Sequence, residues 1–268
     1  MRVLITGTSS GIGKAIAEKF LKEGFDVTGF DRKEASISQD SYTHFCLDIR
    51  DREQYPALAP FDIVINNAGV LRDRMFLSLS EEDWDMVMRV HLRGHFCMAK
   101  VFGGYWRDQK KAGKEVDARI INTSSGAGLQ GSIGQSNYVA AKGGIAALTL
   151  VQAAELGRYG ITVNSLAPAA RTAMTEAGMP DMVKKPDSGF DIWDPLNVAS
   201  IVVWLGSAQS AHVTGRCFEA KGGEISVADG WHTGKITDKG ARWEPAELGA
   251  VVDRLIAEAP APQKVYGT

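Results

Sequence analysis

The chain is predicted to be α/β: a doubly wound parallel sheet with helices on both faces. Three observations lead there. Short apolar runs alternate with amphipathic helical stretches across most of the 268 residues, the rhythm of strand–helix–strand units. The first apolar run leads at once into a glycine-rich turn and then a helical pattern. The length suits one large α/β domain, and 44% hydrophobic residues can bury a sizeable core.

The elements follow in order. RVLIT (2–6) is the first strand. After GTSSGIG, the spacing of Ile12, Ile16 and Phe20 by four predicts a helix that stops near Gly24. DVTGFD (26–31), THFCL (43–47) and DIVIN (62–66) are further strands. A long helical stretch near 81–110 precedes RIINTSS (119–125), read as strand then turn. A helix over 136–158, a strand at 161–166, a helix near 195–208 and a short strand at 216–220 complete the repeating part. Residues 168–195 carry prolines and little periodicity, so a substrate lid is expected after a strand's C-terminal end. The tail 221–268 ends in a helix-like run, PAELGAVVDRLI. It is too short for a domain of its own, so residues 1–268 are read as one domain with a C-terminal extension packed on its own subunit or a neighbour.

Composition excludes several functions. A formal net charge of −2, from 30 basic and 32 acidic residues, offers no basic surface for nucleic acid. Cys46, Cys97 and Cys217 lack metal-ligand spacing, so no metal is expected and the thiols are read as reduced. No leader precedes the first strand. Apolar runs such as IAALTLV break off before the ~20 residues of a membrane span. The expectation is a soluble, cytoplasmic protein.

The chemistry gathers around Tyr138 and Lys142. Four residues apart on a helix, they share one face. A nearby cation favours the phenolate and would bring a tyrosine toward a working pKa. Ser125, at a strand end thirteen residues upstream, can offer a hydroxyl to a substrate oxygen. At the other end of the chain, Gly7, Gly11 and Gly13 lie between strand and helix, where bare backbone can approach a pyrophosphate. A P-loop is excluded twice, because Thr8 and Ala15 stand where that motif needs glycine and Ser or Thr. Asp31 ends the second strand, eighteen residues past Gly13. A carboxylate there accepts from both ribose hydroxyls and repels a 2′-phosphate, favouring NAD over NADP. Arg32 and Lys33 follow it and act against that preference. Asp48, after the third strand, is read either as a contact to the adenine amino group or as a turn residue.

TGTSSGIG (6–13), NNAG (66–69), Ser125 and Tyr138-x-x-x-Lys142 together resemble, in that order and spacing, the short-chain dehydrogenase/reductase family over residues 1 to about 220. The resemblance implies a single NAD(P)-binding Rossmann domain and hydride transfer between a nicotinamide and a secondary alcohol or ketone. It implies Tyr138 as general acid/base and Ser125 as holder of the substrate oxygen. Lys142 would bind the nicotinamide ribose and lower the tyrosine pKa. Gly7, Ser9, Ser10, Gly11, Ile12 and Gly13 would cradle the cofactor. Asp31, Asp48, Ile49, Asn67, Ala68 and Gly69 would line its site, with Pro168 and Thr172 toward the carboxamide. Where many members carry a relay asparagine, this chain has His91, read either as its substitute or as a buried structural histidine.

AGVLRDRMF (68–76), EEDWD (81–85) and RVHLRGHF (89–96) are similar to the dehydrogenase part of the peroxisomal multifunctional enzyme and its stand-alone bacterial relatives. That subgroup implies an NAD-dependent 3-hydroxyacyl-CoA dehydrogenase. The alternatives are a steroid or 3-oxoacyl (carrier-protein) ketone reductase, and a catalytically silent NAD-binding sensor. The family also implies a homotetramer or homodimer formed through the helices of 81–110 and 136–158.

Overall fold

The computed structural model describes every residue except 52–54, 56–59, 179, 229, 262 and 268. Its centre is an eight-stranded sheet in the order β3-β2-β1-β4-β5-β6-β7-β8. The strands are β1 (Arg2–Thr6), β2 (Asp26–Asp31), β3 (Tyr42–Cys46), β4 (Ile63–Asn66), β5 (Ala118–Thr123), β6 (Ile161–Ala169), β7 (Cys217–Lys221) and β8 (Glu224–Val227). All neighbours are parallel except β7 and β8. This is the predicted doubly wound fold, with β8 added as an unexpected antiparallel edge.

Helices cover both faces, which explains why the central strands are buried along nearly their whole length rather than on alternate residues. On one face α1 (Gly11–Lys22) and α7 (Pro195–Gly206) pack Ile16, Phe20, Val198 and Leu205 against Val3, Ile5 and Ile65. On the other, α3 (Gly94–Lys111) and α5 (Ser136–Leu156) pack Met98, Phe102, Trp106 and Ala153 against Leu4, Val64 and Ile120. Fully burying one such large side chain contributes roughly 2–3 kcal/mol.

The long helix near 81–110 is not continuous. It consists of α2 (Glu81–Met88), a π-turn over Arg89–Arg93 and then α3. Ser80 caps its start, accepting from the Asp83 N–H at 3.1 Å. The irregular stretch after β6 contains a short helix, α6 (Ala173–Gly178). The ends of that stretch are tied together: Arg171 pairs with Asp191, and its N–H donates to the Trp193 carbonyl at 2.6 Å.

The chain divides into two compact units, residues 1–228 with 265–268, and residues 229–264. The second unit holds α8 (Leu248–Glu258), with Lys239–Glu247 and Lys235–Glu258 ion pairs. The last residues rejoin the first unit, where Tyr266 bridges to Ser132.

Candidate active site

β1 and β4 are neighbours whose onward connections lead to opposite sides of the sheet. That topological switch point opens a crevice at their C-terminal ends. The glycine loop and NNAG meet there. The buried Thr6 hydroxyl accepts from the Asn67 and Ala68 N–H groups at 2.9 and 3.0 Å, and the Asn67 amide donates to the Thr6 carbonyl at 3.2 Å. Gly7 adopts φ +81°, and a Cβ on it would sit 2.9 Å from the Ala68 Cα. A Cβ on Gly13 would sit 2.0 Å from the Gly7 carbonyl oxygen. The two glycines let the loop fold flat at the helix N-terminus and leave bare N–H groups for a pyrophosphate. Gly11 faces Thr172, whose methyl would lie 3.2 Å from an added Cβ. Thr172 therefore approaches the loop from the far side of the crevice, while Pro168 pairs with Ala220 within β6 and β7. Ser10, at the N-cap position of α1, and Ile12 complete its wall.

Asp31 is aimed by the backbone. Its carboxylate accepts from the Ser9 N–H at 2.9 Å and the Lys33 N–H at 3.0 Å. Arg32 turns away toward Asp48, 3.6 Å distant. The Asp48 carboxylate is also gripped by Arg50 at 2.6 and 3.0 Å, and these hydrogen bonds hold it below the usual carboxylate range. The Arg32 guanidinium beside Asp31 is thus already engaged. Ile49 is buried, and its carbonyl receives the Tyr55 hydroxyl at 2.7 Å.

Tyr138, Lys142 and Ser125 come together as their spacing predicts. Ser125 caps the short helix α4 (Gly126–Gln130), accepting from the Ala127 N–H at 3.2 Å, and its hydroxyl lies on the side of the Tyr138 phenol, where it opposes the rise of the phenol's pKa. Lys142 is 2% exposed; its Nζ donates to the Thr123 carbonyl at 2.5 Å and lies 5.6 Å from the Tyr138 ring centre. One electrostatic expectation differs. Burial pushes the phenol above its ordinary range, against the opposing effect of Ser125, and the Asp73 carboxylate adds to the rise. Burial likewise draws the lysine down to about 7. The buried lysine therefore does not bring the phenol down here, because desolvation outweighs it.

His91 sits in the π-turn, buried, with its ring edge-to-face on Tyr138 at 5.2 Å. Its Nε2 lies 2.8 Å from the Val70 carbonyl and 3.1 Å from the Val70 N–H. The Nδ1 has no hydrogen-bond partner among the described residues. Burial first, then the charge of Lys142, keeps the imidazole well below its usual pKa and neutral. Gly69 makes room for the ring; a Cβ there would meet it at 2.5 Å. A π-turn at this place re-aims side chains by one residue, a common device at functional sites.

Other residues here went unread in the sequence. Asn137 is fully buried and clamps the loop after NNAG onto α5, its amide donating to the Arg72 and Asp83 carbonyls at 3.0 and 3.3 Å. The Tyr266 hydroxyl would lie 2.7 Å from a Cβ on Gly126, next to Ser125. Neither has a local pattern that announces it.

The family model described as short chain dehydrogenase matches residues 1–182. A hydroxyacyl-CoA dehydrogenase, ChsB1, of Mycobacterium tuberculosis is 44% identical over 202 residues, 73% of this chain; the match spans 62% of that relative's length. The mouse peroxisomal multifunctional enzyme type 2 is 38% identical over 93% of this chain and 34% of its own. A crystal structure of a short chain dehydrogenase from Mycobacterium avium superposes with a TM-score of 0.88 at 45% identity, covering 100% of this chain and 98% of that one. Glycine loop, NNAG and the Ser125–Tyr138–Lys142 cluster thus stand on the sheet of a shared fold, and this chain belongs to the short-chain dehydrogenase family, oxidoreductases that act on CH–OH groups.

Proposed function

We propose that the protein is an NAD-dependent dehydrogenase of 3-hydroxyacyl-CoA or a closely related bulky secondary alcohol. The carrying observation is the Ser125–Tyr138–Lys142 cluster, with the lysine Nζ 5.6 Å from the tyrosine ring centre, beside a glycine cradle that a single Cβ would fill. That cradle fits a dinucleotide. Gly7 to Gly13 would hold the pyrophosphate, Asp31 the adenosine ribose, Asn67 to Gly69 the wall, Thr172 the carboxamide and Lys142 the nicotinamide ribose. When bound, the nicotinamide supplies the hydride acceptor. Ser125 would hold the substrate oxygen and Tyr138, as the phenolate, would take its proton, with the unpartnered Nδ1 of the neutral His91 as the next acceptor and the Lys142 cation steadying the phenolate. The 44% identity with a hydroxyacyl-CoA dehydrogenase supports the substrate class. The backbone-aimed Asp31 supports NAD over NADP.

The test is absorbance at the NADH band with a panel of 3-hydroxyacyl-CoA and hydroxysteroid substrates, using NAD and NADP in turn. Turnover of hydroxyacyl-CoA with NAD is expected, and Asp31→Ala should weaken NAD about tenfold while leaving NADP nearly unchanged. Wild-type preference for NADP would sink the reading of Asp31. NADH binding without turnover of any substrate would favour a silent sensor.

A second copy of the chain is the proposed partner. The helix run Ser136–Tyr159 has a mean hydropathy of 1.3 and, by length and composition alone, could cross a membrane, unlike the interrupted runs read in the sequence. One face of α5 packs on the sheet; the other exposes Leu150 and Val151. With Leu92, Phe96 and Leu148 it lines an open groove of about 610 Å³. Asp85, Arg89 and Arg93 on that groove give it charges of both signs, complementary to themselves across a two-fold axis. Light scattering after gel filtration should give a dimer or tetramer. A monomer at micromolar concentration would remove this assignment.

A further inference from the structure

His95 lies one helical turn beyond His91 and has no part in the chemistry described above. It is 1% exposed. Its Nδ1 lies 2.7 Å from the His91 carbonyl oxygen, so that nitrogen carries the proton and donates. A neutral imidazole then has a lone pair on Nε2, and the Thr123 N–H points at it from 3.3 Å. Burial, reinforced by the charge of Lys142, lowers this histidine to about 3, so the ring is neutral across the working pH range.

Those contacts converge on one place. Thr123 ends β5, and its carbonyl is the acceptor for the Lys142 ammonium. The N–H and the carbonyl of Thr123 belong to the two peptide planes that meet at its Cα, so the ring, holding the N–H, and the Leu166 carbonyl, accepting from the Ser124 N–H at 2.7 Å, together limit how far the Thr123 carbonyl can turn. The His91 carbonyl belongs to the π-turn. A single ring therefore joins the turn that aims His91 and the strand end that seats the lysine. Nothing in the helix itself requires a polar ring at this position, and burying one is costly unless its nitrogens are used.

We propose that His95 is a positioning residue for Lys142: through Thr123 and the His91 carbonyl it sets the lysine's distance from Tyr138. This rests on the dehydrogenase reading above. Loosening the ring lets the lysine side chain wander by about an ångström, enough to cost on the order of 10²-fold in rate.

The test compares wild type with His95→Ala, His95→Gln and His95→Asn as full-length proteins. Each is assayed for kcat, KM, the pH profile of kcat, NADH binding by fluorescence and thermal midpoint. His95→Ala should lower kcat 10- to 100-fold. The KM for the alcohol should change less than about twofold, and the pH profile should shift by about half a unit or more. The Gln amide can place an acceptor where Nε2 stands and should recover most of the rate. Asn reaches the His91 carbonyl but not Thr123 and should recover little. Three variants with a lowered thermal midpoint but unchanged kcat and pH profile would make the ring purely structural. So would loss of folding in all three. An inactive wild type would instead overturn the dehydrogenase reading, separately from His95.

Discussion

Tyr138→Phe is expected to lower turnover by about 10³-fold while NADH binding changes less than about threefold. In the proposed mechanism the phenol is the acid/base of the cluster; its ring stacks edge-on against His91. Removing one oxygen deletes the proton acceptor and leaves the cradle untouched, because Gly7, Gly13 and Asp31 are held by backbone contacts that do not involve the tyrosine. Stability should move little. The lost hydroxyl was itself enclosed, so its removal relieves a desolvation cost of about the same size as the polar contact it gives up. Stopped-flow hydride transfer and NADH fluorescence on the same preparation check both halves. A variant that keeps near wild-type turnover would place the proton acceptor elsewhere.

That experiment concerns a residue the sequence makes plain, and the reason is instructive. Tyr138 and Lys142 need only helical spacing to share a face, and helical spacing is visible in a string of letters. Ser125 needs only a strand end, and Gly7 and Gly13 need only the absence of a side chain. The same holds for the sheet: apolar runs such as VLI in β1 are buried on both faces because helices must cover them. What stayed hidden depends on tertiary contact. The π-turn at Arg89–Arg93 slips the helix by one residue, and apolar periodicity near 3.6 tolerates such a slip without a trace. Its setting is non-local: Gly94 packs against Ile49, and His95 reaches Thr123. β8 is four residues long with every one exposed; EISV alternates polar and apolar, but over so short a run that the pattern does not stand out. The return of Tyr266 to Ser132 joins positions more than a hundred residues apart. The sign of the tyrosine's shift was missed for the same reason, since desolvation is a property of the surroundings and not of a spacing.

Lys142→Met should abolish turnover and yet raise the stability of the ligand-free protein, by an amount that depends on pH. In the unfolded chain the ammonium keeps its proton up to its ordinary value of 10.5, whereas in the fold it releases it at about 7. Below pH 7 both states are charged, and the native state bears the full cost of a buried cation. Between pH 7 and 10.5 the unfolded chain binds the extra proton, so native stability rises with pH and the cost fades. Above 10.5 nothing remains of it. Met fills nearly the same volume without a charge, so its advantage is greatest at pH 7 and below. The shift alone sets an upper bound of about 5 kcal/mol. Against this, the Thr123 carbonyl loses its donor, at about 1–3 kcal/mol. A net gain of about 2 kcal/mol, roughly 4 °C in thermal midpoint, is expected at pH 6 and should shrink steadily by pH 9. Paired melting curves of wild type and variant across that range measure it. A difference that is flat or grows with pH would mean the lysine is not carrying its charge into the core. A difference that fades as described would identify the cost of placing a catalytic cation beside Tyr138, which the fold tolerates because Thr123, and through it His95, gives that cation one fixed seat.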